Sequence, residues 1–321
     1  MGAGKPPRRL WRRLGYAFGA VALLLGALYL SRLRPDLPRA DLEARWANGT
    51  SRFLDVAGAR VHIRDEGVGS PIVLLHGTSS SLHTWDGWVA SLAPGHRVVR
   101  FDLPAFGLTG PSRAGDYSIA AYVALVDEVA RRLELPPFVL AGNSLGGEIA
   151  WHYALAHPAR VQALILVDSA GYPRYGRGVP IAFWLASLPG LPWALTKLDP
   201  RHLVEDAVTR VYGDPSRIRP GVTQRYYELA LAPGNRPAFV ARMRTPRPDE
   251  SARVRELRLP VLVLWGGRDR LFPAEVGGQF AHDIPGARLV IYDDLGHIPM
   301  EEDPARTVAD VERFLAHLPG P

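Results

Sequence analysis

A serine, an aspartate and a histidine, in that order along the chain, each lie in a glycine-containing turn that follows an apolar run. Ser144 lies in Gly142-Asn143-Ser144-Leu145-Gly146-Gly147 after Phe138 to Ala141. Asp269 closes Gly266-Gly267-Arg268-Asp269 after Val261 to Trp265, and His297 closes Asp294-Leu295-Gly296-His297 after Leu289 to Tyr292. A serine hydroxyl is a poor nucleophile until a base takes its proton. Histidine, with an unperturbed pKa near 6.5, both accepts and returns a proton at neutral pH. The carboxylate holds the imidazole tautomer and stabilises the imidazolium that forms. The G-x-S-x-G pattern at a strand-to-helix turn places serine Oγ on a strained elbow and needs small neighbours. The Leu145 N–H, at the positive end of the following helix, is expected to face charge that develops on a substrate oxygen.

Other residues offer rival or supporting roles. Asp168 ends the run Ala163 to Val167 and is the alternative to Asp269 for orienting His297. Asp102 is expected to fix the turn through Gly107, and His76 to brace the loop after it. His62, His83, His152 and His157 show no partner spacing and are read as structural or exposed, and Glu301-Glu302-Asp303 as the solvated start of a helix. No H-E-x-x-H or similar ligand cluster occurs, so neither a metal nor a cofactor is expected.

These residues need a scaffold that brings strand ends together. Pro71 to His76, Val98 to Asp102, Phe138 to Ala141, Ala163 to Val167 and Val261 to Trp265 are apolar without alternation, as parallel strands covered on both faces are. Leu289 to Tyr292 is a shorter run of the same kind. Phe53 to Val56 and Val61 to Arg64 predict a hairpin across Gly58. Helices are expected from Ile119 to Leu133 behind a Ser118 cap, from Leu145 to His157, and from Pro304 to Leu318. Alternating strand and helix predict an α/β fold with a mostly parallel central sheet and helices on both faces. Residues 169–256 break the alternation and are too long for a structureless loop. They are expected to form a helical lid over the carboxyl edge of the sheet, with core at 51–168 and 257–321.

Charge separates the N-terminus from the rest. Of 38 basic residues against 32 acidic ones, seven lie before residue 35, where there is no acid. The remainder is near neutral and gives no support to a nucleic-acid partner. Lys5, Arg8, Arg9, Arg12 and Arg13 precede eighteen uncharged residues, Leu14 to Ser31, which as a helix would rise about 27 Å, just short of a ~30 Å hydrocarbon core. Residues 1–34 are therefore expected to be an uncleaved N-terminal membrane helix, with the catalytic domain on the extracytoplasmic side and 35–50 as a linker. The alternative is a cleaved signal peptide and secretion, although Gly26-Ala27-Leu28-Tyr29-Leu30-Ser31 lacks the small residues a cut needs. Cysteine is absent, which excludes disulfides and thiolate catalysis.

Together, Leu74-Leu75-His76-Gly77, Phe101 to Gly107, Gly142 to Gly147, Gly266 to Asp269 and Gly296-His297 make the chain from Arg52 to about Leu318 resemble an α/β-hydrolase fold enzyme of the lidded kind. That resemblance implies a second oxyanion donor from the backbone of Thr78. It implies a small apolar ester as substrate, with Asn143, Phe183, Trp184, Leu188, Trp193 and Ile298 expected around it. Epoxide hydrolases and haloalkane dehalogenases of this superfamily use an aspartate where this chain has Ser144. Asn143-Ser144 also resembles the elbow of hydrolases that cleave carbon–carbon bonds in ring-fission products, but those usually have tryptophan where this chain has Ile298. Ester hydrolysis leads, carbon–carbon hydrolysis is second, and a non-catalytic ligand receptor on the same fold is the remaining class.

Overall fold

The computed structural model describes residues 8–56, 58–173, 178–188 and 192–318, with side chains from residue 16 onward and at a few earlier positions. The chain begins with helices α1 (Arg8–Ser31) and α2 (Arg39–Trp46). It then forms the hairpin β1 (Ser51–Val56) and β2 (Ala59–Glu66), followed by β3 (Ser70–Leu75), α3 (Asp86–Leu92), β4 (His96–Phe101), α4 (Ile119–Arg132), β5 (Phe138–Asn143), α5 (Leu145–Ala156) and β6 (Val161–Val167). Five helices come next: α6 (Ile181–Ser187), α7 (Pro192–Leu195), α8 (Arg201–Val211), α9 (Val222–Ala230) and α10 (Asn235–Arg244). The chain closes with β7 (Val261–Gly266), α11 (Ala274–Asp283), β8 (Arg288–Tyr292), α12 (Pro299–Glu302) and α13 (Pro304–Leu315).

Among the described residues eight strands form one sheet in the order β1-β2-β4-β3-β5-β6-β7-β8. β1, β2 and β4 pair antiparallel, and every other pair is parallel. The apolar runs are parallel strands because both faces are covered: α4, α5 and α11 contribute Tyr122, Ile149 and Phe280 to one core, and α3 and α13 contribute Trp88 and Phe314 to the other. Ser118 caps α4 by accepting from Ala121 N at 3.2 Å. In this topology β5, β6, β7 and β8 are consecutive neighbours, so the turns at their carboxyl ends fall on one edge.

Between β6 and β7 the described residues include the five helices α6 to α10 and no strand of the sheet. Pro189, Gly190 and Leu191 of the expected lid lie outside the described residues.

Two expectations for the N-terminus are corrected. Residues 1–7 lie outside the described residues, and among the described residues no helix is long and apolar enough to cross a membrane. Along its apolar stretch α1 carries Tyr16, Gly19, Gly26 and Tyr29, which dilute its apolar character. Its apolar side chains, Phe18, Leu23, Leu24 and Leu30 among them, are exposed. The end of α1 is also tied to the lid: Arg34 N donates to Lys197 O at 2.9 Å, Asp199 N to Arg32 O at 2.9 Å, and Tyr29 Oη to Ala194 O at 3.2 Å. Residues 35–50, expected as a linker, contain α2. Leu42 packs there against Leu108, Leu229 and Ala232, with Leu37 and Trp46 beside them, so this stretch joins lid and core.

Candidate active site

The nucleophile elbow forms where β5 runs into α5. Ser144 has φ 53° and ψ −116°, a left-handed backbone that L-residues avoid and that surrounding contacts must hold. The contacts are tight enough to demand glycine. A Cβ on Gly142 would lie 2.1 Å from Gly146 O, and one on Gly77 would lie 2.8 Å from Asn143 Oδ1 and 3.1 Å from Ser144 Cβ. The loop carrying Thr78 therefore packs directly against the nucleophile. His76 braces that loop: Leu103 N donates to its Nε2 at 2.9 Å, which leaves Nδ1 to donate to Gly77 O at 2.8 Å. Burial pushes the His76 imidazole pKa down, in keeping with a neutral ring of that tautomer.

Beyond β6, in the turns after β7 and β8, Asp269 and His297 meet. His297 Nδ1 lies 2.7 Å from Asp269 Oδ2. Asp269 Oδ1 accepts from Leu271 N at 2.7 Å and Phe272 N at 3.1 Å, which fixes the carboxylate plane. The His297 backbone is held from both sides, its N–H donating to Val211 O at 2.7 Å and its carbonyl accepting from Asn143 Nδ2 at 2.9 Å. Between Ser144 Oγ and the imidazole there is no closed hydrogen bond among the described contacts, as is common before substrate excludes water.

Two cavities adjoin the elbow. One, of about 240 Å³, is lined by Ser144, Leu145, Thr78, Phe183, Arg242 and Arg247. The other, of about 360 Å³, is almost wholly apolar and lies between lid and core, with Phe106, Leu203, Val204, Phe239 and Val240 in its wall. Thr78 and Phe183 line both, so the two spaces share a wall next to the loop that packs on the nucleophile.

The remaining expected substrate contacts fall elsewhere. Trp184 and Trp193 are 61% and 72% exposed and line neither cavity, because the helical phase that turns Phe183 inward turns Trp184 out. Leu188 lines neither cavity, and its carbonyl accepts from Arg244. Ile298 is buried in the core beside α12. Asn143 is buried and spends its amide on Val167 O and His297 O, so its place is structural.

Several polar residues have partners that sequence spacing hides. Glu302 is buried and accepts from Gly213 N, Asp214 N and Gly296 N at 2.8 to 2.9 Å, which clamps the lid to the turn before His297. Glu301 is buried among Thr84, Arg225 and Tyr226. The expected solvated helix start is thus an internal joint, and only Asp303 caps a helix, accepting from Arg306 N. His62 pairs with Asp102 at 2.7 Å and with Ser51 Oγ at 2.9 Å, which repeats the atoms of a catalytic triad. There, however, Arg64 Nε donates to Ser51 Oγ, Asp102 also accepts from Leu82 N and Leu108 N, and neither cavity touches the group. It locks β1 and β2 to the core and confers the expected turn role on Asp102.

The family model for the alpha/beta hydrolase fold matches residues 70–304. The chain belongs to the alpha/beta hydrolase fold family. It is 32% identical to an uncharacterised protein of Mycobacterium tuberculosis (strain ATCC 25618 / H37Rv), over 83% of this chain and 81% of that one. It is 28% identical to a 2-hydroxymuconate semialdehyde hydrolase of Pseudomonas sp. (strain CF600), over 83% and 93%. A thermophilic esterase from Thermogutta terrifontis, 24% identical, superposes with a TM-score of 0.72 over 84% of this chain and 99% of that one, a likeness of fold. In this alpha/beta hydrolase the elbow, the acid turn and the histidine turn occupy one sheet edge beneath the lid.

Proposed function

We propose that this alpha/beta hydrolase is a serine hydrolase that cleaves carboxylic esters of apolar acyl groups through an acyl-enzyme. The observation that carries the reading is the His297 to Asp269 pair at 2.7 Å with a strained Ser144 in the wall of a cavity that shares Thr78 and Phe183 with the apolar chamber. Ser144 Oγ attacks the acyl carbonyl carbon while His297 Nε2 takes its proton and Asp269 stabilises the imidazolium. The N–H groups of Leu145 and Thr78 receive the oxyanion. As the carbon–oxygen bond to the alcohol breaks, His297 returns the proton to the leaving oxygen, and water repeats the sequence to release the acid. The apolar lining supports an acyl chain, since such pockets hold apolar groups and orient them with a few polar ones.

A second reading is carbon–carbon bond hydrolysis. It is favoured by the guanidinium of Arg242 in the wall of the Ser144 cavity, where Arg247 is paired with Glu148, and by the 28% identity to the semialdehyde hydrolase.

Labelling with a serine-directed fluorophosphonate, followed by rates on p-nitrophenyl esters of increasing chain length beside a vinylogous diketone, tests both. Labelling lost in Ser144→Ala and a rate that favours the esters is the expected result. A faster diketone reaction supports the second reading, and an inert wild type a ligand receptor.

A further inference from the structure

Asp168 is a buried acid that the proposed chemistry does not use. It follows β6, the strand between the nucleophile's strand and that of Asp269, with φ 43°. Its backbone N–H donates to Leu264 O at 3.0 Å, and its Oδ1 accepts from Gly266 N at 2.9 Å, so β7 holds both ends of the residue. A carboxyl or imidazole atom from each of Asp168, Asp269 and His297 lies within 4.8 Å of the others. Oδ2 of Asp168 is buried with no closed hydrogen bond, and the Asp269 carboxyl lies within 4.8 Å of the Asp168 carboxyl. His297 already spends Nδ1 on Asp269, so it does not serve Asp168 as well.

Two carboxyl groups that face each other in a buried site do not both ionise. We propose that Asp168 is a positioning residue that stays protonated on Oδ2 and donates to the Asp269 carboxylate, so that the catalytic array is Ser144, His297, Asp269 and Asp168. Burial and the adjacent Asp269 push the Asp168 carboxyl well above the usual carboxylate range, and Glu302 of α12 adds to the same push. Tyr292, at the end of β8, is buried and donates its hydroxyl hydrogen bond to Asp310 at 2.8 Å. Gly266 N fixes Oδ1 as the acceptor, so the proton belongs on Oδ2. There it draws charge from Asp269 and so weakens the hold of that carboxylate on the imidazolium that forms. The proton stays on Asp168 throughout turnover.

This rests on the triad reading, and Ser144→Ala, which should abolish turnover on p-nitrophenyl butyrate, tests that reading separately. With the full-length chain, the pH dependence of kcat/KM is measured for Asp168→Asn and Asp168→Ala. The Asn variant keeps an acceptor for Gly266 N and a donor for Asp269, so its acidic limb should coincide with that of the wild type. The Ala variant removes the donor, and its acidic limb should move up by roughly one pH unit, the scale of a hydrogen bond to a charged group, with KM little changed. An acidic limb that moves down in Asp168→Asn would mean that Asp168 is ionised, and one unmoved in a folded Asp168→Ala would mean that it positions nothing. Either overturns the proposal. If the Ala variant does not fold, infrared difference spectra of wild type against Asp168→Asn decide. A protonated-carboxyl carbonyl band at neutral pH, lost in the variant, is expected, and its absence from the wild type overturns the assignment.

Discussion

The side-chain amide of Asn143 donates to the carbonyl of His297 at 2.9 Å and to that of Val167 at 3.1 Å, with the asparagine itself buried. One side chain thereby ties the last residue of β5 to the end of β6 and to the turn that carries the imidazole. Asn143→Ala strands the buried carbonyl of His297, whereas Val167 O keeps Ser144 N, and should cost about 1–3 kcal/mol of stability, measured as a fall in thermal midpoint. Because it loosens His297 relative to Ser144, kcat should fall on the order of a hundredfold while KM changes little. A variant that lost stability but kept its kcat would show that Val211 and Glu302 hold the histidine turn without Asn143.

Truncating the triad gives a sharper loss. Ser144→Ala, His297→Ala and Asp269→Asn should each reduce ester turnover by roughly a thousandfold or more while leaving the circular dichroism spectrum unchanged, and the double variants should lose little more than the singles. Near-native activity in Ser144→Ala would remove the serine mechanism altogether.

Acid stability should report His83. Burial pushes its pKa from 6.5 to about 4. Nε2 lies 2.9 Å from Trp46 O and Nδ1 3.1 Å from Ser81 Oγ. The folded state binds the proton less readily than the unfolded chain, so this contribution to stability is fully present above pH 6.5 and is lost as pH falls toward 4. The loss is about 3 kcal/mol in all. His83→Gln should start less stable at pH 7 and decline less steeply across that window in urea unfolding. Parallel declines in the two proteins would assign the acid sensitivity elsewhere, for example to His76, whose pKa burial also lowers.

Much of this site is local in sequence, and that part was legible. The elbow, the acid turn and the histidine turn each follow an apolar strand, and a parallel sheet aligns such ends without further instruction. The joints between them were not. Glu302 reaches Gly213 across 89 positions, Asp102 reaches His62 across 40, and Asp168 meets Asp269 only because β6 and β7 are neighbours. A carboxylate that caps backbone N–H groups in the interior has the same local surroundings in sequence as one in water. The lid was legible as helical by its length and prolines, yet which aromatic faced inward depended on helix phase. Phe183 went in and Trp184 out because α6 packs on α10, which lies far along the chain and brings Phe239 to within 5.6 Å of the Phe183 ring.

The chamber of about 360 Å³ beside Phe183 should set chain-length preference. Each methylene moved from water into it contributes about 0.8 kcal/mol at most, so kcat/KM on p-nitrophenyl esters should rise up to fourfold per added carbon until the space is filled, then level off. Val240 and Leu203 stand in its wall, and Val240→Trp should shorten the optimum by several carbons without slowing acetate hydrolysis. Trp184→Ala, at an exposed position, should leave the whole profile unchanged. The comparison is made at equal thermal stability, since overpacking the lid carries its own cost of about 1–3 kcal/mol. If Val240→Trp slowed acetate and octanoate alike in a folded protein, the acyl chain would have to lie in the smaller cavity beside Arg242, and the chamber would belong to the alcohol.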